Sequence, residues 1–247
     1  MPKSEFALCI RIRLGAGLID DAIICPKCEK MILKPNCAHA FCCALAESTK
    51  GHYKIRDIIF DLCCLADSSA DTEAPELIPS APTLRPADIF TRAAVSGCQA
   101  ALDVGIMSPD AAGAGSDCCE AMRKKKLKDY GPFLKELGDR GIRYIPLAFS
   151  TFGRIHAEAF TILEHICIKA ARHRGLHDHQ LLWRRFQVNL GVAIWRRAAA
   201  MVQSCLPVLT ESALDLLFGR DDDIVDEEDI SASAGIVCAD GLAGLAA

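Results

Sequence analysis

No stretch of this chain approaches the run of about 18 apolar side chains needed to cross a bilayer, so no membrane partner is expected. A secretory signal is lacking as well: MPKSEFALCIRIR carries Arg11 and Arg13 where such a segment would be apolar. The expected setting is therefore intracellular. No internal repeat recurs, which argues against a solenoid or a propeller. Strong net charge is also missing, the formal value being −4. Positive charge is absent altogether from Asp221 onward, where eight acids stand with no Lys or Arg. The preceding residues hold 28 basic groups against 24 acidic ones. A mildly basic body with an acidic tail permits a nucleic-acid partner without requiring one.

What is present suffices for a real core. A chain of 247 residues with 51% hydrophobic and 24% charged side chains can form one domain with a small appendage. Fourteen cysteines would mark a disulfide scaffold in a short secreted protein. Here three of the pairs are sequence neighbours (Cys42–Cys43, Cys63–Cys64, Cys118–Cys119), which bridge only with strain. Most are therefore expected to be reduced and to act as small apolar groups, with metal binding as the exception.

Composition divides the chain into residues 1–50, a lead-in and a Cys/His knuckle; 51–205, an αβ domain; and 206–247, a short helix and an acidic tail expected to be disordered. In the middle section, Ile55, Ile58, Ile59 and Leu62 recur at helical spacing over 51–66. Residues 67–83 are rich in Pro, Ser and acids and read as a loop with a short strand near Leu77. Strands are expected at 84–90, 100–107 and 143–149. Ser116–Asp117 can cap a helix running to about Leu137 and closed by Gly138. Two further helices are expected at 154–173 and 179–205. This order implies an α/β domain.

The strongest chemical signal is Cys25-x2-Cys28-x10-His39-x3-Cys43. Two cysteines in CPKC can turn both sulfurs toward one ion, and His39 and Cys43 can share one face of a starting helix to close a tetrahedral N/S site. Zn²⁺ suits such a set, being soft enough for thiolates and free of geometric preference. Cys42 is an alternative to Cys43, and Cys37 is a spare. Lys27, Lys30 and Lys34 flank the knuckle and could touch phosphate.

A second constellation is Asp88 in RPAD and Asp103 in ALDVGIM. Two aspartates on adjacent strands can bring their carboxylates to one sheet edge and hold Mg²⁺ or Mn²⁺. Such an ion can polarise a phosphate and activate water. The next helix carries Arg123, Lys124, Lys125, Lys126 and Lys128, followed by Tyr130. Lys126 and Tyr130, four apart, face the same way.

The order of these pieces resembles the C-terminal part of site-specific non-LTR retrotransposon polyproteins, where a zinc knuckle precedes a restriction-like endonuclease of the PD-(D/E)XK superfamily. The resemblance runs over about residues 8–205 and includes IRIRLGAGL, Lys50-Gly51-His52, Arg56-Asp57 and the Thr151-Phe152-Gly153 turn. It implies a restriction-endonuclease-like α/β fold, a mixed sheet flanked by helices behind an N-terminal zinc knuckle. It also implies DNA as partner and, in a eukaryotic host, the nucleus as location. Asp88 and Asp103 match the metal-binding acids. Lys126 matches a catalytic lysine displaced onto the next helix, with Lys125 and Lys128 as competitors and Tyr130 beside it. Two departures stand out: Gly105 occupies the usual lysine position two residues after the second acid, and Ala87 separates Pro86 from Asp88. No Tyr-x-Asp-Asp polymerase signature occurs. The leading expectation is a Mg²⁺- or Mn²⁺-dependent DNA endonuclease. Its alternatives are a catalytically inactive nucleic-acid-binding module and a zinc-stabilised interaction protein.

Overall fold

A nine-residue stretch that is apolar at nearly every position demands cover on both faces, and Gln99–Met107 receives it. In the computed structural model, which describes residues 3–206, the element order is α1 (Lys3–Arg13), β1 (Ile23–Ile24), β2 (Ile32–Leu33), α2 (Ala40–Cys43), α3 (Leu45–Ala66), β3 (Asp71–Thr72), β4 (Ile89–Thr91), β5 (Gln99–Met107), α4 (Cys118–Tyr130), α5 (Leu134–Asp139), β6 (Ile142–Ser150), α6 (Ala157–His173) and α7 (Gln180–Gln203). One sheet is the small antiparallel pair β1–β2; the other is a mixed sheet in the order β3-β4-β5-β6. There β3/β4 and β4/β5 are antiparallel, whereas β5 and β6 run parallel over their full length. The fold is α/β with a mixed sheet flanked by helices.

Side-chain alternation along β5 assigns the two faces. Ala100, Leu102 and Val104 join the main core with Ile55 and Ile59 of α3, Leu163 and Ile166 of α6, and Leu190 and Ile194 of α7. Ala101, Asp103 and Gly105 point the other way. Ala101 packs with Tyr144 and Leu137, while Asp103 and Gly105 lie under α4. Parallel strands need a crossover between them, and α4 with α5 supplies it on that second face.

Several boundaries differ from those the sequence implies. The strand expected at 84–90 is only Ile89–Thr91, because Pro86 has no N–H to donate to a ladder. The short strand of the preceding loop is Asp71–Thr72, whereas Leu77 is buried in a satellite core beside Leu137. The helix expected to reach Leu137 ends at Tyr130. A single 3-10 turn, Gly131–Phe133, separates it from α5, since Pro132 cannot donate to the Lys128 carbonyl and its ring opposes a continued helix. Helix α3 begins at Leu45, not at Gly51. Gly51 marks no break: a Cβ there would collide with the aliphatic stem of Arg197 on α7. Helix α6 starts at Ala157, because Ile155 bridges to Phe149 and the ring of His156 caps the helix by accepting from Glu158 N. Of Ser116 and Asp117, the pair expected to cap this helix, Asp117 does so, its carboxylate accepting from Glu120 N at 2.9 Å. Helix α1 arises from a stretch read only as apolar runs. The short helix and acidic tail expected from Pro207 onward lie outside the described residues.

Asp67 ties the end of α3 to the edge of the sheet. Its carboxylate accepts from Thr91 Oγ1 at 2.8 Å, from Arg92 N at 2.6 Å and from Ser69. Burial works against the charge, yet these donors hold the carboxyl down to about 2. A depressed folded-state pKa contributes stability above the unfolded value, about 3.9 for Asp, and loses it as pH falls toward the folded one. Urea unfolding of the wild type should therefore weaken between about pH 4 and pH 2 more steeply than that of Asp67→Asn. Equal slopes would show that these bonds do not favour the charged form.

Candidate functional site

The knuckle is assembled by two tight turns and a short helix. Cys25 leaves β1, and the positive φ of Glu29 (54°) turns the chain so that Cys28 faces back. The backbone N–H groups of Lys30 and Met31 point at Cys28 and, with His39, bring its thiol down to about 6. His39 and Cys43 sit at either end of α2. Ligand atoms of Cys25, Cys28, His39 and Cys43 all lie within 4.8 Å of one another. Cys25 Sγ is 3.9 Å from Cys43 Sγ, and Cys28 Sγ is 3.3 Å from His39 Nε2. Ligands at Zn–S of about 2.3 Å and Zn–N of about 2.0 Å, set at tetrahedral angles, stand roughly 3.5–3.8 Å apart. The four residues could thus bind zinc. Cys42 is exposed and turned away, and Cys37 is buried with its Sγ toward the Pro35 carbonyl, which leaves Cys43 as the fourth member. Lys27, Lys30 and Lys34 are exposed.

This knuckle is not a free appendage. Phe41 of α2 meets Phe152 edge-on at 5.7 Å, and Arg13 of α1 donates to the Phe152 carbonyl at 2.6 Å. The Thr151-Phe152-Gly153 turn therefore joins α1, the knuckle and the main sheet. Gly153, at φ 90°, has the left-handed conformation that glycine adopts without cost. Cys205, beyond the end of α7, is fully buried beside Cys25 and Cys43.

The second constellation converges at the start of β4. The pairing of Ile89 with Leu102 places Asp88 and Asp103 at adjoining positions of the ladder. Asp88 lies just outside β4. Its Oδ2 accepts from Val104 N at 2.7 Å, and its Oδ1 accepts from His52 Nε2 of α3 at 3.1 Å. A carboxylate can only accept here, so Nε2 carries the proton. Asp103 is 5% exposed. Lys126 Nζ reaches its Oδ1 at 2.6 Å, and Tyr144 donates to its Oδ2 at 2.5 Å.

The two acids are driven apart in strength. Burial is the largest influence on both. It pushes Asp103 up to about 6, with the charge of Asp88 adding to the rise against the pull of Lys126 and Tyr144. For Asp88 burial loses to His52, the Val104 N–H and Lys126, which hold the carboxyl below its ordinary value. Burial and the neighbouring Asp103 raise the Tyr144 phenol, so it remains a donor.

Of the three lysines that compete for the displaced position, Lys125 and Lys128 are exposed and only Lys126 turns inward to Asp103. Gly105 makes room for it: a Cβ at position 105 would stand 2.7 Å from Met122 Cγ and 3.3 Å from Lys126 Cε. The space beside that missing side chain is filled by Lys126 and Met122, both reaching across from α4. Tyr130 lies beside the site but bonds elsewhere, its hydroxyl donating to the Arg85 carbonyl at 3.1 Å and its ring 5.0 Å from that of Tyr144. It fastens the end of α4 to the segment that delivers Asp88.

His52 and Tyr144 were not singled out as site residues from the sequence. His52 stands three and seven residues before Ile55 and Ile59, inside an otherwise apolar helical stripe. Tyr144 is a phenol within the apolar strand RYIPLAF. Both signals mark a polar atom brought into the interior, but neither names its partner. No protein-family model, curated protein or solved structure matches the chain.

Purified protein should carry about one zinc, since four ligands close the coordination shell. Cys28→Ala should abolish retention through dialysis, while Cys42→Ala should not. A folded wild-type preparation free of zinc by elemental analysis would overturn this assignment.

Proposed function

We propose that the chain is a metal-dependent DNA endonuclease domain of retroelement origin, nicking one strand at the cleft between Asp88, Asp103 and Lys126, with a restriction-endonuclease-like core and a nuclear location in a eukaryotic host. The observation that carries this reading is Lys126 lying over Gly105 with its amine 2.6 Å from Asp103. Lysine and acid thus meet although the strand position of the usual lysine is empty. Structural ion pairs of this kind are costly to bury. An acid near 6, a second acid held ionised and a lysine in one cleft form a combination expected of a site rather than of a core.

The donor set fits Mg²⁺ or Mn²⁺, which prefer one or two carboxylates plus water and phosphate oxygens. Asp88 and Asp103 would hold the ion. When bound, it would supply Lewis-acid stabilisation of the phosphate and a more acidic water. Lys126 contributes positive charge where the phosphorane oxygens become more negative, an effect that is strong in a partly desolvated cleft. Tyr144 and the Val104 N–H fix the carboxylate orientations, and His52 holds Asp88 from the side of α3. The exposed Lys124, Lys125 and Lys128 of α4 and Arg184 and Arg185 of α7 offer phosphate contacts without sequence preference. Zinc, in this reading, fills a closed structural site that fastens the knuckle.

A second reading, a nucleic-acid-binding module without catalysis, is favoured by one observation: both Asp103 oxygens are already bonded, to Lys126 and to Tyr144. The two readings part on supercoiled plasmid with Mg²⁺ or Mn²⁺. The nuclease should convert it to the nicked form. Asp103→Asn should abolish conversion, and Lys126→Met should slow it by about 100-fold or more, with DNA binding retained in both. Conversion by Asp103→Asn at the wild-type rate, or none by the wild type, would leave the binding module as the function.

A further inference from the structure

Arg197 is the most deeply buried cation among the described residues, 6% exposed at the crossing of α3 and α7. Its Nε donates to the Ser48 carbonyl at 3.3 Å and its Nη2 to Ser48 Oγ at 2.5 Å. Its Nη1 has no partner, and no carboxylate among the described residues pairs with the guanidinium. Burial alone pulls its pKa down to about 10. Isolated buried charges are disfavoured, and arginine is the residue whose planar fork best matches phosphate oxygens. Ser48 alone does not discharge that fork.

The position is equally informative. Arg197 lines a cavity of about 290 Å³ together with Ser48, Thr49, His52, Asp88 and Glu73, whose carboxylate is engaged by Arg56 at 3.1 Å. It also lines a larger groove, about 690 Å³, that runs between α3 and α7 past Lys50, Lys54 and Arg196 and past the carboxylates of Glu5, Glu47 and Asp57. Arg197 is thus part of the wall shared by the cavity that Asp88 lines and a groove bearing three further cations, of which Lys50 pairs with Glu47 and Arg196 with Glu5. Gly51 makes the arrangement possible, since any side chain there would displace the Arg197 stem.

We propose that Arg197, with the hydroxyl of Ser48, forms a phosphate subsite that takes the backbone phosphate next to the one held at Asp88 and Asp103, so that the strand runs from the Asp88 cavity into the α3–α7 groove. The nucleic-acid source of that phosphate rests on the endonuclease reading; the anion site itself stands on the uncompensated guanidinium. Phosphate contacts of this kind set the register of a strand without reading its sequence.

The test uses the full chain, with short single- and double-stranded oligonucleotides carrying one neutral methylphosphonate at each position in turn. Wild-type affinity should fall about tenfold at one phosphate adjacent to the nicked bond. Arg197→Gln should bind the unmodified strand about tenfold more weakly and be indifferent to that substitution. Arg197→Lys and Ser48→Ala, which preserve the charge, cover the case in which Arg197→Gln does not fold; each should weaken the same position selectively. Inorganic phosphate, at constant ionic strength, should raise the melting temperature of the wild type but not of these variants. Protection by inorganic phosphate without any strand dependence would keep the anion site and reject the nucleic-acid source. Methylphosphonate and phosphate responses that are the same in the wild type and all folded variants would overturn the proposal, making Arg197 a clamp on Ser48 only. Plasmid nicking is read separately, so loss of the nuclease reading and loss of the subsite are distinguishable.

Discussion

Parallel pairing of β5 with β6 is the constraint on which the rest of the arrangement depends. Two parallel strands cannot be joined by a tight turn, so the chain must climb off the sheet after Met107, cross one face and re-enter at Ile142. The crossing element α4 necessarily covers the face that carries Ala101, Asp103 and Gly105. That places a lysine-rich helix over an aspartate and a glycine, and Lys126 turns inward because Gly105 leaves the room. The break at Pro132 matters for the same reason. It lets α4 end beside Arg85, where Tyr130 ties it to the strand that delivers Asp88.

Charge in the interior is compensated unevenly. Asp103 has a lysine and a phenol, Asp88 a histidine and a backbone amide, and Arg197 a serine and no anionic partner among the described residues. Burial raises one acid and is overcome at the other, so two carboxyls at adjoining ladder positions differ in their affinity for a proton. Asp88, His52 and Arg197 line one cavity, and Asp103 with Lys126 and Tyr144 lies beside Asp88 on the neighbouring strand. A domain that gained only packing from these residues would be better served by apolar ones.

The knuckle belongs to this architecture through aromatic and backbone contacts rather than through the sheet. Phe41 against Phe152, Arg13 on the Phe152 carbonyl and Cys205 beside Cys25 and Cys43 hold it to the turn after β6 and to the segment following α7. A four-ligand set would stiffen two tiny strands, β1 and β2, that have too few ladder bonds to persist alone. Helix α1, which packs along α7 and pairs Glu5 with Arg196 at 3.2 Å, completes that side.

What the sequence determined by itself is whatever depends on local spacing. The Cys/His set was legible because zinc ligands recur at intervals dictated by a short knuckle, and Asp117 because a cap acts within one turn. The long helices and the two nine-residue strands were legible because apolar period reports them. The aspartate pair was legible as two acids brought to adjoining positions, although Asp88 stands just before its strand and not within it. Only the tertiary structure decided that Lys126 rather than Lys125 or Lys128 turns inward, that Cys43 rather than Cys42 faces the cluster, and that Gly51 lies inside a helix. It also decided that His52 and Arg197 line one cavity with Asp88, and that Tyr144 reaches Asp103. Those outcomes depend on which helix crosses which strand face, and on where a missing Cβ lets a long side chain through. Neither is written in the spacing of residues along one element.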